Sequence, residues 1–394
     1  GISSLYLFNL FFMKPVSIDH YLSKELILDL TGSPEEITYI GVFDKFNWIT
    51  NHNSKLSIPQ DDDIKNSVQH IVGVVKTLYK YDDSRLTDNQ KRTKKIAIFD
   101  YENELKELKN FPFLEYPLNQ ISGIHLNLVE FMNSVHPIRS ESEARAFIER
   151  TDLVKEVYEG TLSHLKKQAN NGIYPPEFVY VHVLNQLDEF INISITDHPL
   201  YKQFMLKIEG LDLNKSEVDY LEEEIRRSID ESVTPGFKLL RDFMANTQKN
   251  ANKNDGIWSQ PGGDEYYKLK IRTFTSTDYS PEEIHQMGLN EVKRISSRMR
   301  DILTSLGYDK NKSVGELMNE LNENPDFLYA DTPDRKEIVV NDYMDMVNEA
   351  TSVMNNYFHT MPKSEVIVKA VPEYSEQSAA GGYYQSPALD GSRP

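Results

Sequence analysis

The chain of 394 residues has no cysteine, which excludes disulfides, thiolate metal sites, iron–sulfur clusters and cysteine nucleophiles together. Long apolar runs are missing as well. No stretch approaches the about 18 residues that a membrane-spanning helix needs. Positive charge is scarce: 43 Lys and Arg stand against 61 Asp and Glu, a formal net charge of -18. That balance offers no basic stripe to follow phosphates and argues against nucleic acid as a partner. Familiar catalytic spacings are absent too, with no Gly-x-Ser-x-Gly elbow, no Gly-x-x-x-x-Gly-Lys loop and no Gly-x-Gly-x-x-Gly turn. Among the 10 His, no two lie four apart and none is followed by Glu. A zinc helix of the His-Glu-x-x-His kind, with two imidazoles on one face and a carboxylate base beside them, is therefore ruled out.

What remains is a chain equipped to fold. Hydrophobic residues make up 39%, and 22 Tyr with 18 Phe supply buriable area that a disordered chain lacks. The length predicts two or three domain-sized units, or one large body with two lobes. Helix starts dominate. Ser33-Pro34-Glu35-Glu36 and Ser280-Pro281-Glu282-Glu283 place a hydroxyl at the N-cap, Pro at the first helical position and Glu at the third. Ser140-x-x-Glu143 and Ser313-x-x-Glu316 repeat the box without the proline, and Thr332-Pro333 reads as another start.

Three apolar stripes agree with these caps. Ile284, Gly288, Val292, Ile295, Met299, Ile302 and Leu306 advance by three or four up to Gly307, where a C-cap is expected. Val154, Val157, Leu162, Leu165 and Ala169 form a second stripe, ended by Asn171-Gly172. Val340, Tyr343, Met344, Val347, Met354, Tyr357 and Phe358 form a third. All three read as core-facing. Leu5, Phe8 and Phe12 predict a packed first helix in preference to a targeting remnant, and the opening Gly1 suggests a processed or engineered start.

Strand signals are few and late. Glu365 to Val371, rich in β-branched residues, predicts a strand, and the run from Ala379 to Tyr384 a further extended piece. The polar stretch Asn246 to Asp255 reads as a solvated loop. The expected organisation is an N-terminal helical lobe over 1–245, a loop or hinge over 246–265, and long helices with a small β element over 266–394. Asp61-Asp62-Asp63 lacks the glycine and closing Glu of a calcium loop and reads as a surface turn. Glu222 and Glu224, ahead of Arg226-Arg227, read as a salt-bridged outer face.

The segment from Tyr266 to Ile295 (YYKLKIRTFTSTDYSPEEIHQMGLNEVKRI) resembles the centre of the bacterial domain-of-unknown-function 885 family. Ser33 to Glu36 with Gly41 resembles its opening, Tyr116-Pro117-Leu118-Asn119-Gln120 with Gly123 its early helical part, and Tyr383 to Pro394 (YYQSPALDGSRP) its later core. The resemblance implies a mainly α, two-lobed helical body like that of zinc-dependent peptidases, with a small late β element, and incomplete. It implies an exported lipoprotein of the periplasm or cell envelope whose lipid anchor was lost from the N-terminus, while the cytoplasm stays open. It also implies zinc-activated water attacking a peptide bond in the parent protein. The family's metal motif, His-Glu followed by Gly-His-His, lies beyond the stretch matched by Tyr383 to Pro394, so this chain is expected to hold no metal and to be inactive alone. The alternative is a non-catalytic peptide-binding or interaction protein with a helical cleft.

On that reading the substrate-binding candidates are Gly381, Gly382, Tyr383, Tyr384 and Arg393. The glycines would allow an extended peptide to approach an edge strand, and Arg393 could fork onto a carboxylate; an ordinary edge strand plus turn explains the same run. His285 and Glu291 are cleft candidates by resemblance, although six positions do not pair them along a helix and a lone helical His is more often a hydrogen-bonded structural residue. Trp258 and Tyr266-Tyr267 would line an apolar wall or an internal interface. The partner is expected to be a peptide or a small-molecule substrate, and the oligomeric state is open.

Overall fold

A computed structural model of the chain describes residues 15–44, 47–371 and 381–388. The helix expected around Leu5, Phe8 and Phe12 lies outside the described residues, as does Arg393. The fold is mainly α. In chain order the helices are α1 (Ile18–Leu30), α2 (Pro34–Ile40), α3 (Asp63–Leu78), α4 (Asp88–Asn110), α5 (Ile124–Glu130), α6 (Glu141–Asp152), α7 (Val154–Asn170) and α8 (Glu177–Asn192). They continue as α9 (Pro199–Ile208), α10 (Lys215–Ser228), α11 (Thr234–Thr247), α12 (Gly263–Thr275), α13 (Pro281–Ser305), α14 (Val314–Glu323) and α15 (Arg335–Met354), with shorter turns between them. Two compact units result. One runs through Leu269 and takes in 381–388; the other begins at Lys270, inside α12.

The first unit holds the core. Ile18 and Tyr21 of α1 pack with Val74 and Leu78 of α3, and the Tyr81 hydroxyl donates to the Pro15 carbonyl at 2.7 Å. Deeper in the unit, aromatic rings join the later helices: Phe147 meets Phe204 at 5.3 Å, Tyr158 meets Phe237 at 5.4 Å, and Phe190 stacks on Phe237 at 4.8 Å. The α7 stripe behaves as its spacing predicts, with Val154, Val157 and Leu165 buried. Gly172 ends it at φ 72°, a left-handed turn in which a Cβ is strained. The polar stretch after α11 is stapled to the start of α8, because Asn252 donates its N–H to the Pro175 carbonyl and accepts from Glu177 N–H.

The second unit is built on correct local signals with little core beneath them. The Ser280 hydroxyl accepts from Glu283 N–H and the Glu283 carboxylate accepts from Ser280 N–H at 2.8 Å; Ser313 and Glu316 do the same for α14. Gly307, at φ 92°, closes α13 where expected, with Tyr308 N–H donating back to Leu303 O. Yet among the described residues of this unit only Ile271, Leu303 and Leu317 are buried hydrophobics. The α13 stripe read as core lies open: Val292, Ile295, Ile302 and Leu306 are exposed. Tyr343, Tyr357 and Phe358 of the third stripe are exposed too.

Two further expectations need correction. Residues 365–371 form no strand, and Val366 and Ile367 are exposed. β-branched composition favours an extended backbone, but a strand exists only when a neighbour completes its hydrogen-bond ladder, and no such neighbour occurs among the described residues. The helix read from Thr332-Pro333 starts later, at Arg335, because the Thr332 side chain bonds the Asp334 carboxylate instead of capping.

Candidate functional site

The sequence-derived candidates fall in both units, and each set is described by itself. In the second unit, His285 and Glu291 are both exposed on α13. The Glu291 carboxylate accepts from Arg294 Nε at 2.9 Å and Nη2 at 2.7 Å, and this hydrogen bond lowers its carboxyl below the ordinary range. Six positions of an α-helix separate the two candidates by about 9 Å along the axis, so the helix does not bring them together.

In the first unit, Gly381 to Tyr384 are exposed and form no strand. Nothing approaches within 4 Å of a Cβ built on either glycine. Tyr383 is 59% and Tyr384 73% exposed, whereas Ala388, four residues on, is buried and anchors the run. The Tyr383 phenol is raised, first by partial burial and then by the Glu130 carboxylate near it. Glu130 ends α5, and the Ser134 hydroxyl donates to its Oε1 at 2.6 Å. Here an open backbone and two exposed aromatic rings follow one another in the chain, and one carboxylate acts on the first ring. Of the residues flanking the Gly-Pro-rich loop, Tyr266 is buried edge-on against Phe111 at 5.6 Å, while Trp258 and Tyr267 are exposed.

Sequence reasoning missed the most elaborate polar assembly among the described residues. Arg150, on α6, is fully buried. Its Nε donates to Lys55 O at 2.8 Å, its Nη1 to His136 Nδ1 at 2.9 Å, and its Nη2 to Thr38 Oγ1 at 2.9 Å and His52 O at 2.6 Å. Burial lowers the guanidinium to about 10, with Glu35 and Asp44 opposing. Because His136 Nδ1 must accept from Arg150, its proton sits on Nε2; burial and then the Arg150 cation push the imidazole well below its ordinary value. Beside it, the His52 ring lies 2.6 Å from Thr50 Oγ1 and 3.2 Å from Asp44 Oδ1, and Arg139 donates to Asp44 Oδ2 at 2.7 Å. Burial raises Asp44, but the His52 and Arg139 hydrogen bonds outweigh it and leave the carboxyl lowered. Each Arg150 nitrogen already has an acceptor, so the guanidinium clamps Thr38, His52 and Lys55 onto α6. An Arg on an amphipathic helix carries no mark of this role, since its partners lie between 14 and 112 residues away.

No group of three or more His, Asp or Glu among the described residues is placed to hold a metal ion. No helix among them is long and apolar enough to cross a membrane.

No curated protein matches the chain. Solved structures do. A presumed lipoprotein of Colwellia psychrerythraea aligns with a TM-score of 0.82 at 25% identity, over 93% of this chain and 66% of its own. A presumed lipoprotein of unknown function from Shewanella oneidensis aligns with a TM-score of 0.57 at 14% identity, over 91% of this chain and 61% of its own, and speaks for the fold alone. The chain thus spans less than two thirds of the length of either relative. The family model described as "Bacterial protein of unknown function (DUF885)" matches residues 34–394, nearly the whole chain, in keeping with the capped helices and the Tyr266 to Ile295 segment: the protein belongs to the DUF885 family.

Proposed function

We propose that this chain is the peptide-receiving part of a peptidase-like protein of the bacterial envelope, in which Gly381 to Tyr384 take an extended peptide and the chemistry is supplied by residues other than those described. The observation that carries the reading is the open run itself, with two glycines free of neighbours, Tyr383 and Tyr384 standing into solvent, and the Glu130 carboxylate acting on the Tyr383 phenol. An extended peptide pairs with such a backbone through its own amides, while the aromatic rings cover its side chains and the carboxylate favours an ammonium or guanidinium. Zinc-dependent hydrolysis belongs to this proposal through the family resemblance. The envelope location rests on the relatives described as presumed lipoproteins.

The test is binding of a fluorescein-labelled octapeptide pool to the purified chain, followed by polarisation. Gly382→Pro, which removes an amide donor and closes the approach, and Tyr384→Ala should each weaken binding at least fivefold. No binding, or binding indifferent to both substitutions, sinks the peptide reading. Metal analysis and a peptidase assay on the same material should show no stoichiometric zinc and no cleavage. Tight zinc at a defined site with chelator-sensitive cleavage would place the chemistry in this chain instead.

A further inference from the structure

We infer that the exposed apolar faces of α13 and α15 are the seat of a polypeptide, namely one like the third of its length that the solved Colwellia relative carries outside the part matched here. On α13, Val292, Ile295, Ile302 and Leu306 are exposed at spacings of three, seven and four, which keep them on one face, between a complete capping box at Ser280 and a left-handed glycine at Gly307. On α15, Ile338, Tyr343, Met346 and Val353 are exposed as well. A helix evolved to face water places polar residues at such positions; contiguous apolar faces mark surfaces that something covers.

The size and charge of the faces select the occupant. From Ile284 to Leu306 the α13 face runs about 33 Å at about 1.5 Å per residue, and from Ile338 to Val353 the α15 face runs about 22 Å. A short peptide substrate covers only a fraction of that; a set of packed segments covers all of it. A second copy would bring two bodies of charge -18 together, and an anionic bilayer would repel the same charge. The Colwellia chain, of which this one covers 66%, contains polypeptide of the right amount outside the match. The inference is independent of the peptide reading above, which concerns residues 381–384 of the first unit.

The test compares the two proteins as they exist. Amide hydrogen exchange across the helices aligned with α13 and α15 should be at least tenfold slower in the Colwellia protein than in this chain. Val292→Asp with Ile302→Asp should leave this chain's unfolding midpoint unmoved, because both positions already face water. The aligned pair of substitutions should lower the midpoint of the Colwellia protein. In the solved Colwellia structure, residues aligned with Val292, Ile302, Leu306 and Tyr343 should be covered by its unmatched third. Equal exchange in the two proteins, or aligned residues open to solvent in the Colwellia structure, overturns the inference. So does a dimer of this chain in which α13 is protected, which would make a second copy the occupant.

Discussion

The helices Val154–Asn170 and Pro281–Ser305 carry the same kind of message, an apolar stripe at helical spacing followed by a glycine in the left-handed region. In the first, Val154, Val157 and Leu165 are buried; in the second, Val292 and Leu306 are more than 60% exposed. Amphipathic spacing therefore specifies a helix and a face that requires cover, but the cover itself comes from elsewhere in the sequence. For α7 it comes from α11, whose Phe237 lies against Tyr158. For α13, α14 supplies it at Leu303 alone among the described buried positions of that helix. Capping strength does not distinguish the two, since α13 has the complete capping box and α7 has no side-chain cap.

The contrast breaks most severely at Arg150. Arg150→Met should destabilise the first unit by about 3–5 kcal/mol, because it strands the acceptors at Lys55, His52, Thr38 and His136 in a buried setting. Both tryptophans, Trp48 and Trp258, precede Leu269, so a urea titration followed by their fluorescence reads the first unit specifically. A midpoint indistinguishable from the parent would remove the clamp from the account. Comparable in size is the packing contrast: Phe237→Ala should cost about 3–5 kcal/mol, whereas Val292→Ala should stay within about 0.5 kcal/mol. Equal losses at the two positions would mean that α13 is packed after all.

Acid should sharpen the same difference. Burial holds His125 and His198 at about 4, against an ordinary value of 6.5, with a Gln186 hydrogen bond opposing the shift at His125. Their folded values are depressed, so the unfolded chain binds these protons first. The stability they contribute is complete above about pH 6.5 and is lost as pH falls toward 4, by an amount on the order of 3 kcal/mol per residue. In the second unit His285 and His359 are exposed and add no such buried imidazole. Thermal melts at pH 7.5, 6, 5 and 4 should show the first unit weakening through that window. A flat response would contradict the burial of both rings. The smallest effect belongs to the cap: Ser280→Ala should cost about 1 kcal/mol and fray the first turn of α13, visible as faster exchange of the Glu283 amide with the first unit untouched.

How far the fold could be read from the sequence follows from the range of each interaction. Ser280 with Glu283 and Ser313 with Glu316 are partners three residues apart, so their roles were legible. The salt-bridged face of α10 was legible for the same reason, with Arg226 on Glu222 at 2.6 Å and Arg227 on Glu224 at 3.0 Å. Glu365 to Val371 misled because β-branched residues describe what one segment tolerates, while a strand is a property of two. The site was read less well than the fold. Gly381 to Tyr384 are exposed and form no strand, and His285 and Glu291 lie on one helix without meeting. Arg150 was illegible because nothing near it in the chain, apart from the helix it sits on, hints at the four acceptors it serves.

The reach of Arg150 also sets a schedule for biosynthesis. Lys55, whose carbonyl it binds, leaves the ribosome 95 residues before it does. At about 5–20 residues per second, the stretch around Asp44 to Lys55 waits about 5–20 s for its guanidinium. During that interval the nascent segment exposes the backbone carbonyls of His52 and Lys55 with no guanidinium yet made to receive them, and folding of the amino-terminal region cannot finish before α6 has been translated.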